Sequence, residues 1–451
     1  MKRVGKFIFI TLASAFVCKA AVAADLFRYK FTPGEELVYS GSSDFNFNMG
    51  KEHYPGAFKD SDITRFWVTG QNQDGSWHLI FIGQDMNIRT GRFASTNDTI
   101  SCGHLDLSDD GRRVDKPAAD SEEGIYPAFF PLPADASQAQ SGWSFAKSPG
   151  VEATYHILQT GNRCTIESLE RGIFYDIYQI GASNTIYFNN KLGLVEKIQG
   201  ENEQGYGFTG HGTRVVELES HTVRNQDWMR QLTADAGAAD HAEAAMEAAI
   251  DSVNHGTAKT ETARAAAQQA LQSALASVQN HLLRDKINSD LQNLDERFHY
   301  AQEENDREDS IVNKPAATWT ATDLDGQKHS LEDYRGKVVA LDFWYRGCGW
   351  CMVAMPQIKA LADQFHDQPV VILGMNVDQN DQDAKFVVNK MQLNYLTLHA
   401  TGIPEKYGVQ GFPTFIVIDQ KGIVRAQHIG YSPTLREEMA QSISNILSSN
   451  E

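Results

Sequence analysis

Positive charge is scarce in this sequence. Its 451 residues include 40 lysines and arginines against 58 aspartates and glutamates, which gives a formal net charge of -18. A protein that binds nucleic acid needs a basic surface for the phosphates. The composition therefore argues against a nucleic-acid partner.

Long apolar runs are missing as well. The apolar stretch from Phe7 to Val17 is too short to span a bilayer, and no later segment is long enough, so we do not expect an integral membrane protein. Three basic residues precede this stretch, and the small residues Ala21-Val22-Ala23 follow it. This pattern is typical of a signal peptide, although a buried core helix is the alternative. We expect residues 1–23 to be that signal and the protein to be exported, to a bacterial-type periplasm or another extracytoplasmic space.

Cysteines are few, and one of the five, Cys18, lies within the expected signal peptide. The even number that remains in an exported chain favours disulfides. We expect a structural bridge between Cys102 and Cys164, with two buried free thiols as the alternative. Metal binding by these two cysteines is not expected, because neighbouring histidines do not give a recognised ligand spacing. The other two are Cys348 and Cys351.

Proline is absent between Pro149 and Pro315, and this gap separates regions of different character. A chain of this length should form more than one domain. Residues 24–225 contain alternating apolar runs and turn signals, such as Gln73-Asp74-Gly75, which predict an antiparallel β domain. Residues 226–310 predict a helical hairpin or linker, and residues 311–451 alternate strands and helices in an α/β domain.

The helical region carries an apolar stripe at helical spacing. Leu271, Leu275, Val278 and Leu282 recur at steps of three and four, and the stripe continues from Leu283 after a shift of one residue. A break at residues 254–256 predicts two helices. The stripe indicates either a spacer between domains or a coiled coil that makes a dimer. The phase shift favours the spacer.

The chemistry of the chain is concentrated at Cys348-Gly349-Trp350-Cys351. These residues lie between an apolar strand, Val338 to Trp344, and a predicted helix. A cysteine at a helix N-terminus is stabilised as the thiolate, which is the attacking species, and a second cysteine one turn later can resolve a mixed disulfide. A zinc site is the alternative, but no second CxxC and no paired histidines accompany this one. The spacing therefore predicts a redox-active disulfide.

Residues 315–451 resemble the thioredoxin superfamily, in its exported TlpA/ResA-like branch. The resemblance rests on Leu341-Asp342-Phe343-Trp344 before the cysteines, on Gly411-Phe412-Pro413-Thr414, and on the segment Asp323-Leu324-Asp325-Gly326-Gln327. It implies a thioredoxin-like fold, in which the segment around Pro413 carries a cis-proline. The chain departs from the family pattern at Gly374, where thioredoxin has a lysine.

The resemblance implies roles for several residues. Cys348 is expected to attack, Cys351 to resolve, and Asp342 to accept a proton. Trp350, Phe412, Pro413 and Thr414 are expected to line the substrate groove. Because no cation stands at position 374, burial should raise the pKa of Asp342.

The expected activity is therefore that of an extracytoplasmic thiol-disulfide oxidoreductase that reduces protein disulfides. It needs no metal and no cofactor beyond the Cys348–Cys351 disulfide, and a membrane-linked thiol protein would supply the electrons. One alternative is a thiol peroxidase of the AhpC/TSA type, although Leu341 and Tyr345 stand where that family has proline and threonine. Another is a binding protein whose β domain captures a ligand that the redox domain services.

Overall fold

The computed structural model describes residues 27–49, 54–90, 94–114, 128–148, 151–174, 178–206 and 208–448. The expected signal peptide at 1–23 lies outside these ranges. No helix in the described ranges is both long and apolar enough to cross a bilayer.

Ten strands of the described residues form one antiparallel sheet, in the order β4-β3-β2-β1-β10-β9-β8-β7-β6-β5. Strands that are consecutive in sequence pair with each other, except β4 and β5, which lie at the two edges of the sheet. The pairing of β1 with β10 joins the two meanders. The elements are β1 (Glu35–Met49), β2 (Tyr54–Gln71), β3 (Trp77–Thr90), β4 (Ser95–Leu107), α1 (Ala136–Ser141), β5 (Trp143–Ser148), β6 (Val151–Gln159), β7 (Arg163–Phe174), β8 (Tyr178–Asn189), β9 (Leu194–Tyr206) and β10 (Phe208–Val223).

The two faces of this sheet carry different cores, because successive side chains of a strand point to opposite faces. On β2 and β3, Phe66 and Phe81 lie in a large aromatic core with the segment that begins at Phe27. Trp67 and Ile80, one residue away, pack against helices on the other face. The predicted antiparallel β region is thus a single sheet with a core on each side.

The predicted Cys102–Cys164 disulfide is wrong: both cysteines are free thiols. Cys102 is on β4 and packs against the helical core, whereas Cys164 is on β7 and is fully buried in the aromatic core. Six strands separate β4 from β7 in the sheet. A disulfide needs Cα atoms less than about 7 Å apart, so two cysteines on opposite faces and distant strands cannot form one.

Three helices follow the sheet, where the sequence predicted two: α2 (Gln226–Asn254), α3 (Thr260–Ser277) and α4 (His281–Ile311). The additional break comes at residues 278–280. There the buried carboxylate of Asp235 accepts hydrogen bonds from the backbone N–H groups of Gln279 and Asn280, at 2.9 and 2.7 Å. This contact between distant residues holds the connection between α3 and α4, and the shift in the apolar stripe follows it at Leu283, in the first turn of α4.

The apolar stripe is used within the chain rather than at a dimer seam. Its members Leu271, Leu282, Leu283 and Ile287 are each at most 5% exposed and pack with one another, with α2 and with the sheet. A coiled coil between two copies would need these same side chains on the surface. The stripe is therefore part of the core that the three helices share with the sheet.

A chain of polar contacts also joins α2 to the sheet. Asp106 Oδ1 lies 2.5 Å from His78 Nδ1, and His78 Nε2 lies 3.2 Å from His104 Nδ1. The other ring nitrogen of His104 lies 2.5 Å from Asp240 Oδ2 on α2. The carboxylate of Asp240 raises the pKa of His104, and burial offsets part of that rise. This contact helps to hold the helices on the sheet when His104 is protonated.

The C-terminal domain has the α/β order that the sequence predicts. Its seven described strands are ordered β12-β11-β15-β14-β13-β16-β17, with β13, β14 and β15 parallel and the other pairs antiparallel. The elements are β11 (Thr320–Asp323), β12 (Lys328–Ser330), β13 (Val338–Trp344), α5 (Gly349–Gln364), β14 (Val370–Asn376), α6 (Asp381–Met391), β15 (Leu396–His399), β16 (Thr414–Ile418), β17 (Val424–Ile429) and α7 (Leu435–Ser448).

The central strand β13 positions the site. All seven of its residues are buried, because α5 and α7 cover one face of the sheet and a second apolar core covers the other. The sequence of a strand that is buried on both faces is a continuous apolar run. Val338 to Trp344 fits this pattern at every position except Asp342. The strand ends just before the cysteines, so the chain turns there into α5.

Candidate active site

Cys348 and Cys351 form a disulfide at the start of α5, with their Cα atoms 5.2 Å apart. Cys348 is the N-cap residue of this helix, and its sulfur accepts a hydrogen bond from the backbone N–H of Cys351 at 3.0 Å. The unpaired amides of a helix N-terminus favour negative charge at this position. The fold therefore places one sulfur of the pair where a thiolate is stabilised.

The two cysteines differ in exposure. Cys348 is 6% exposed and Cys351 is 1% exposed, within a small apolar cluster that includes Trp344 and Met352. A partner molecule can therefore reach the sulfur of Cys348 more easily than that of Cys351. This order fits an attacking first cysteine and a protected second one.

Exposed aromatic side chains lie close to the disulfide in the chain. Trp350, between the two cysteines, is 62% exposed and stacks on Tyr431 with ring centroids 5.5 Å apart. Tyr345 meets Phe412 edge to face at 5.3 Å. Sequence reasoning selected Trp350 and Phe412 but missed both tyrosines, since each ring contact joins distant segments.

The segment before β16 comes to the same cluster. Phe412 packs against the apolar residues around the disulfide, and the Phe412–Pro413 peptide bond is cis. Thr414 is fully buried, and its hydroxyl donates to the carbonyl of Gly411 at 2.8 Å. Phe412 therefore borders the redox centre, and Pro413 follows Phe412 through a cis peptide bond. The hydrogen bond of Thr414 to Gly411 fixes the turn that carries both residues.

Asp342 is a buried carboxyl in the middle of β13, 3% exposed. Burial raises the pKa of Asp342 from its ordinary 3.8 to about 7, and a hydrogen bond from Tyr395 partly opposes this rise. The Tyr395 hydroxyl donates to Asp342 Oδ2 at 3.0 Å. Burial also raises the pKa of Tyr395 well above its usual range, so the hydroxyl keeps its proton and remains the donor.

The strand register explains why no cation reaches this carboxyl from β14. Asp342 is directly opposite Gly374, which has no side chain. A Cβ there would meet Thr397 Oγ1 at 2.9 Å and Trp344 Nε1 at 3.0 Å. These two polar atoms are buried and have no hydrogen-bond partner within the described residues. The sequence identified Gly374 but not Tyr395, which lies 53 residues from Asp342 and follows no motif.

The remaining predicted residues lie elsewhere. Cys102 and Cys164 are in the β domain, and burial raises the pKa of each thiol to about 12, so neither is a thiolate near neutral pH. In the part of the chain that the structure describes, no group of three or more metal-ligating side chains is arranged to hold a metal ion.

Residues 311–443 match the Redoxin family. The thiol-disulfide oxidoreductase ResA of Bacillus thuringiensis is 35% identical over 127 residues, which are 28% of this chain and 73% of that relative. The thioredoxin-like protein YneN of Bacillus subtilis is 28% identical over 123 residues, 27% of this chain and 71% of the relative.

Among solved structures, the thioredoxin domain of a thiol-disulfide oxidoreductase from Bacteroides vulgatus is 25% identical, with a TM-score of 0.27. That similarity covers 31% of this chain and 96% of the Bacteroides chain. The Redoxin match does not include the ten-stranded sheet, and the two relatives and the Bacteroides chain cover 28%, 27% and 31% of this chain. Through its C-terminal domain, the chain belongs to the Redoxin family and to the ResA-like thiol-disulfide oxidoreductases within it.

Proposed function

We propose that this protein reduces disulfides of other proteins outside the cytoplasm, by dithiol exchange at Cys348 and Cys351. The placement of Cys348 carries the proposal, because its sulfur caps a helix and is the more accessible of the pair. The N-terminal pattern of basic, apolar and small residues supports export.

In the first step, the reduced enzyme presents Cys348 as a thiolate. This thiolate attacks one sulfur of the substrate disulfide, and the other substrate sulfur leaves as a thiolate that takes a proton from water. The product is a mixed disulfide between Cys348 and the substrate. The Cys351 N–H that points at Cys348 Sγ would stabilise the thiolate before the attack.

In the second step, the Cys351 thiol gives its proton to the Asp342 carboxylate and attacks the sulfur of Cys348. The substrate sulfur leaves as a thiolate, so two electrons have passed to the substrate and Cys348–Cys351 is the disulfide seen in the structure. With a pKa of about 7, Asp342 is suited to accept a proton near neutral pH. A thiol donor, which we expect to be membrane-linked, then restores the dithiol.

The aromatic surface beside the disulfide is the proposed substrate groove. Trp350, Phe412 and the cis-linked Pro413 border it, with Thr414 anchoring the segment from below. Exposed aromatic rings provide contact area at a small cost in side-chain entropy. The groove therefore fits an unfolded or extended polypeptide that contains a disulfide.

Replacing each cysteine by serine tests the mechanism. Cys348→Ser should abolish reduction of a protein disulfide such as that of insulin, because the attacking sulfur is gone. Cys351→Ser should accumulate mixed disulfides that survive non-reducing electrophoresis, because nothing resolves them. Cys102→Ser is the matched control and should leave turnover unchanged, since that thiol packs in the core of the helices and the β-domain sheet and not in the cluster around the disulfide.

Two results would contradict the proposal. One is near-normal insulin reduction by both the Cys348 and the Cys351 variants. The other is consumption of hydrogen peroxide by the reduced enzyme at a rate above its insulin reduction, which would identify a peroxidase instead.

A further inference from the structure

A polar groove of about 410 Å³ lies on one face of the β-domain sheet, formed by β1 to β4 with Arg214 of β10. The register of β2 shows how it arises. Phe66 belongs to the aromatic core, and Thr64, Asp62 and Asp60 follow on the same face at steps of two. The apolar core therefore continues along the strands directly into a polar surface.

The same change occurs on the neighbouring strands. In the strand register Asp62 lies opposite Asp85, and Asp85 lies opposite Thr99. One step further along, Asp60 lies opposite Asn87, which lies opposite Asn97. The groove is thus lined across three strands by carboxylates, amides and hydroxyls.

Two glycines allow these side chains to lie flat on the sheet. A Cβ at Gly41 would come within 1.9 Å of Asp62 Oδ1, and a Cβ at Gly83 within 2.7 Å of Ser101 Oγ. Any larger residue at either position would push the polar side chain away from the floor of the groove. The floor is therefore built around the positions of Asp62 and Ser101.

The groove holds polar atoms that the described part of the chain leaves without partners. Asp60 Oδ1 and Asn87 Oδ1 are buried acceptors with no hydrogen-bond partner among the described residues. The other carboxylate oxygen of Asp60 accepts from Ser43 Oγ at 3.0 Å, which fixes the orientation of the side chain. Buried acceptors without donors are unfavourable, so a hydrogen-bond donor that reached these two oxygens would stabilise the floor of the groove.

We infer that this groove binds a neutral, polyhydroxylated ligand of the carbohydrate class. Both signs of charge line it: Asp60, Asp62 and Asp85 disfavour an anion, while Arg89 and Arg214 disfavour an organic cation. A sugar hydroxyl donates and accepts at once, and can therefore satisfy carboxylates, amides and guanidinium groups together. This binding function is separate from the redox reaction of the C-terminal domain.

The position of the groove favours a sugar over a peptide. Extended peptides commonly bind by adding a strand to a free sheet edge, through main-chain hydrogen bonds. Of the four strands that form the groove, β4 lies at the edge of the sheet, whereas β1, β2 and β3 are each hydrogen-bonded to a neighbour on both sides. The part of the floor that these three strands make therefore offers side-chain groups rather than main-chain groups. A ligand rich in hydroxyls matches that set of partners.

The test uses the full chain on an array of neutral oligosaccharides of glucose, mannose, galactose and N-acetylglucosamine, with calorimetric titration of the strongest binder. We expect saturable binding that falls at least tenfold in Asp62→Ala. Asp60→Asn keeps the shape of the side chain and should also weaken binding. Asp98→Ala is the matched control: Asp98 is exposed on β4 between Asn97 and Thr99, so its side chain points to the opposite face.

Three outcomes overturn the inference. The first is no saturable binding to any oligosaccharide while circular dichroism shows a folded chain. The second is binding that Asp62→Ala and Asp60→Asn leave unchanged. The third is binding of a tetralysine peptide, lost in Asp62→Ala, without oligosaccharide binding, which would identify a cationic ligand. Because insulin reduction should be normal in all three variants, failure here does not affect the redox proposal.

Discussion

Replacing Asp342 by asparagine should make the redox domain more stable at high pH and leave its stability nearly unchanged at low pH. In the unfolded chain this carboxyl ionises near pH 3.8, whereas in the fold its pKa is about 7. Between these values the folded state binds more protons than the unfolded state, so the group lowers stability as the pH rises. The loss is complete above pH 7, and the pKa difference corresponds to roughly 4 kcal/mol.

Asparagine is a neutral near-isostere and can still accept the hydrogen bond from Tyr395. It should remove the cost of burying a charge. The free energy of unfolding of Asp342→Asn, minus that of the parent, should therefore be up to about 4 kcal/mol larger at pH 8 than at pH 4. The same variant should slow resolution of the mixed disulfide more than the first attack, because the proton acceptor is gone.

Amide hydrogen exchange in β13 measures this gain within the full chain, since the exchange of core amides reports the free energy of opening that domain. The parent and the variant are compared at each pH from 4 to 8.5. Asp325→Asn, at an exposed position in the same domain, is the control and should change the pH dependence little. A stability difference between Asp342→Asn and the parent that is constant over this range, or a loss of stability at pH 8, would refute the argument.

Three further changes follow from single contacts in the structure. Tyr395→Phe removes the hydrogen bond that lowers the pKa of Asp342, so the pH midpoint of mixed-disulfide resolution should move upward; rapid mixing across pH 5 to 9 measures it, and an unchanged midpoint would show that the bond is unimportant. Asp240→Asn removes the carboxylate that raises the pKa of His104. The stabilisation from a raised histidine pKa is present below about pH 6.5 and disappears as the pH rises through the folded pKa, so urea unfolding should show a loss of up to about 1 kcal/mol at pH 5.5 and less at pH 8.5. An equal loss at both values would contradict this reasoning. Trp350→Ala should raise KM for insulin severalfold but leave the rate with a small aromatic disulfide unchanged, and equal effects on both substrates would show that Trp350 does not serve substrate contact.

Local patterns in the sequence determine much of the redox domain. The apolar run Val338 to Trp344 predicts a fully buried strand, and the structure has a strand with these bounds. The CxxC motif follows directly, so Cys348 caps the next helix by chain connectivity alone. Such features depend on residues that are close in sequence, and the periodicity of apolar residues therefore predicts them.

Contacts between distant segments were decided only by the tertiary structure. The pairing of β13 with β14, and of β14 with β15, brings Tyr395 to Asp342, and no local pattern encodes that strand order. The number of cysteines was compatible with a bridge between Cys102 and Cys164, but the pleat places them on opposite faces of a sheet that the sequence does not order. Side-chain periodicity gives the face within one strand, whereas the neighbour across the sheet depends on the register and order that the whole fold selects.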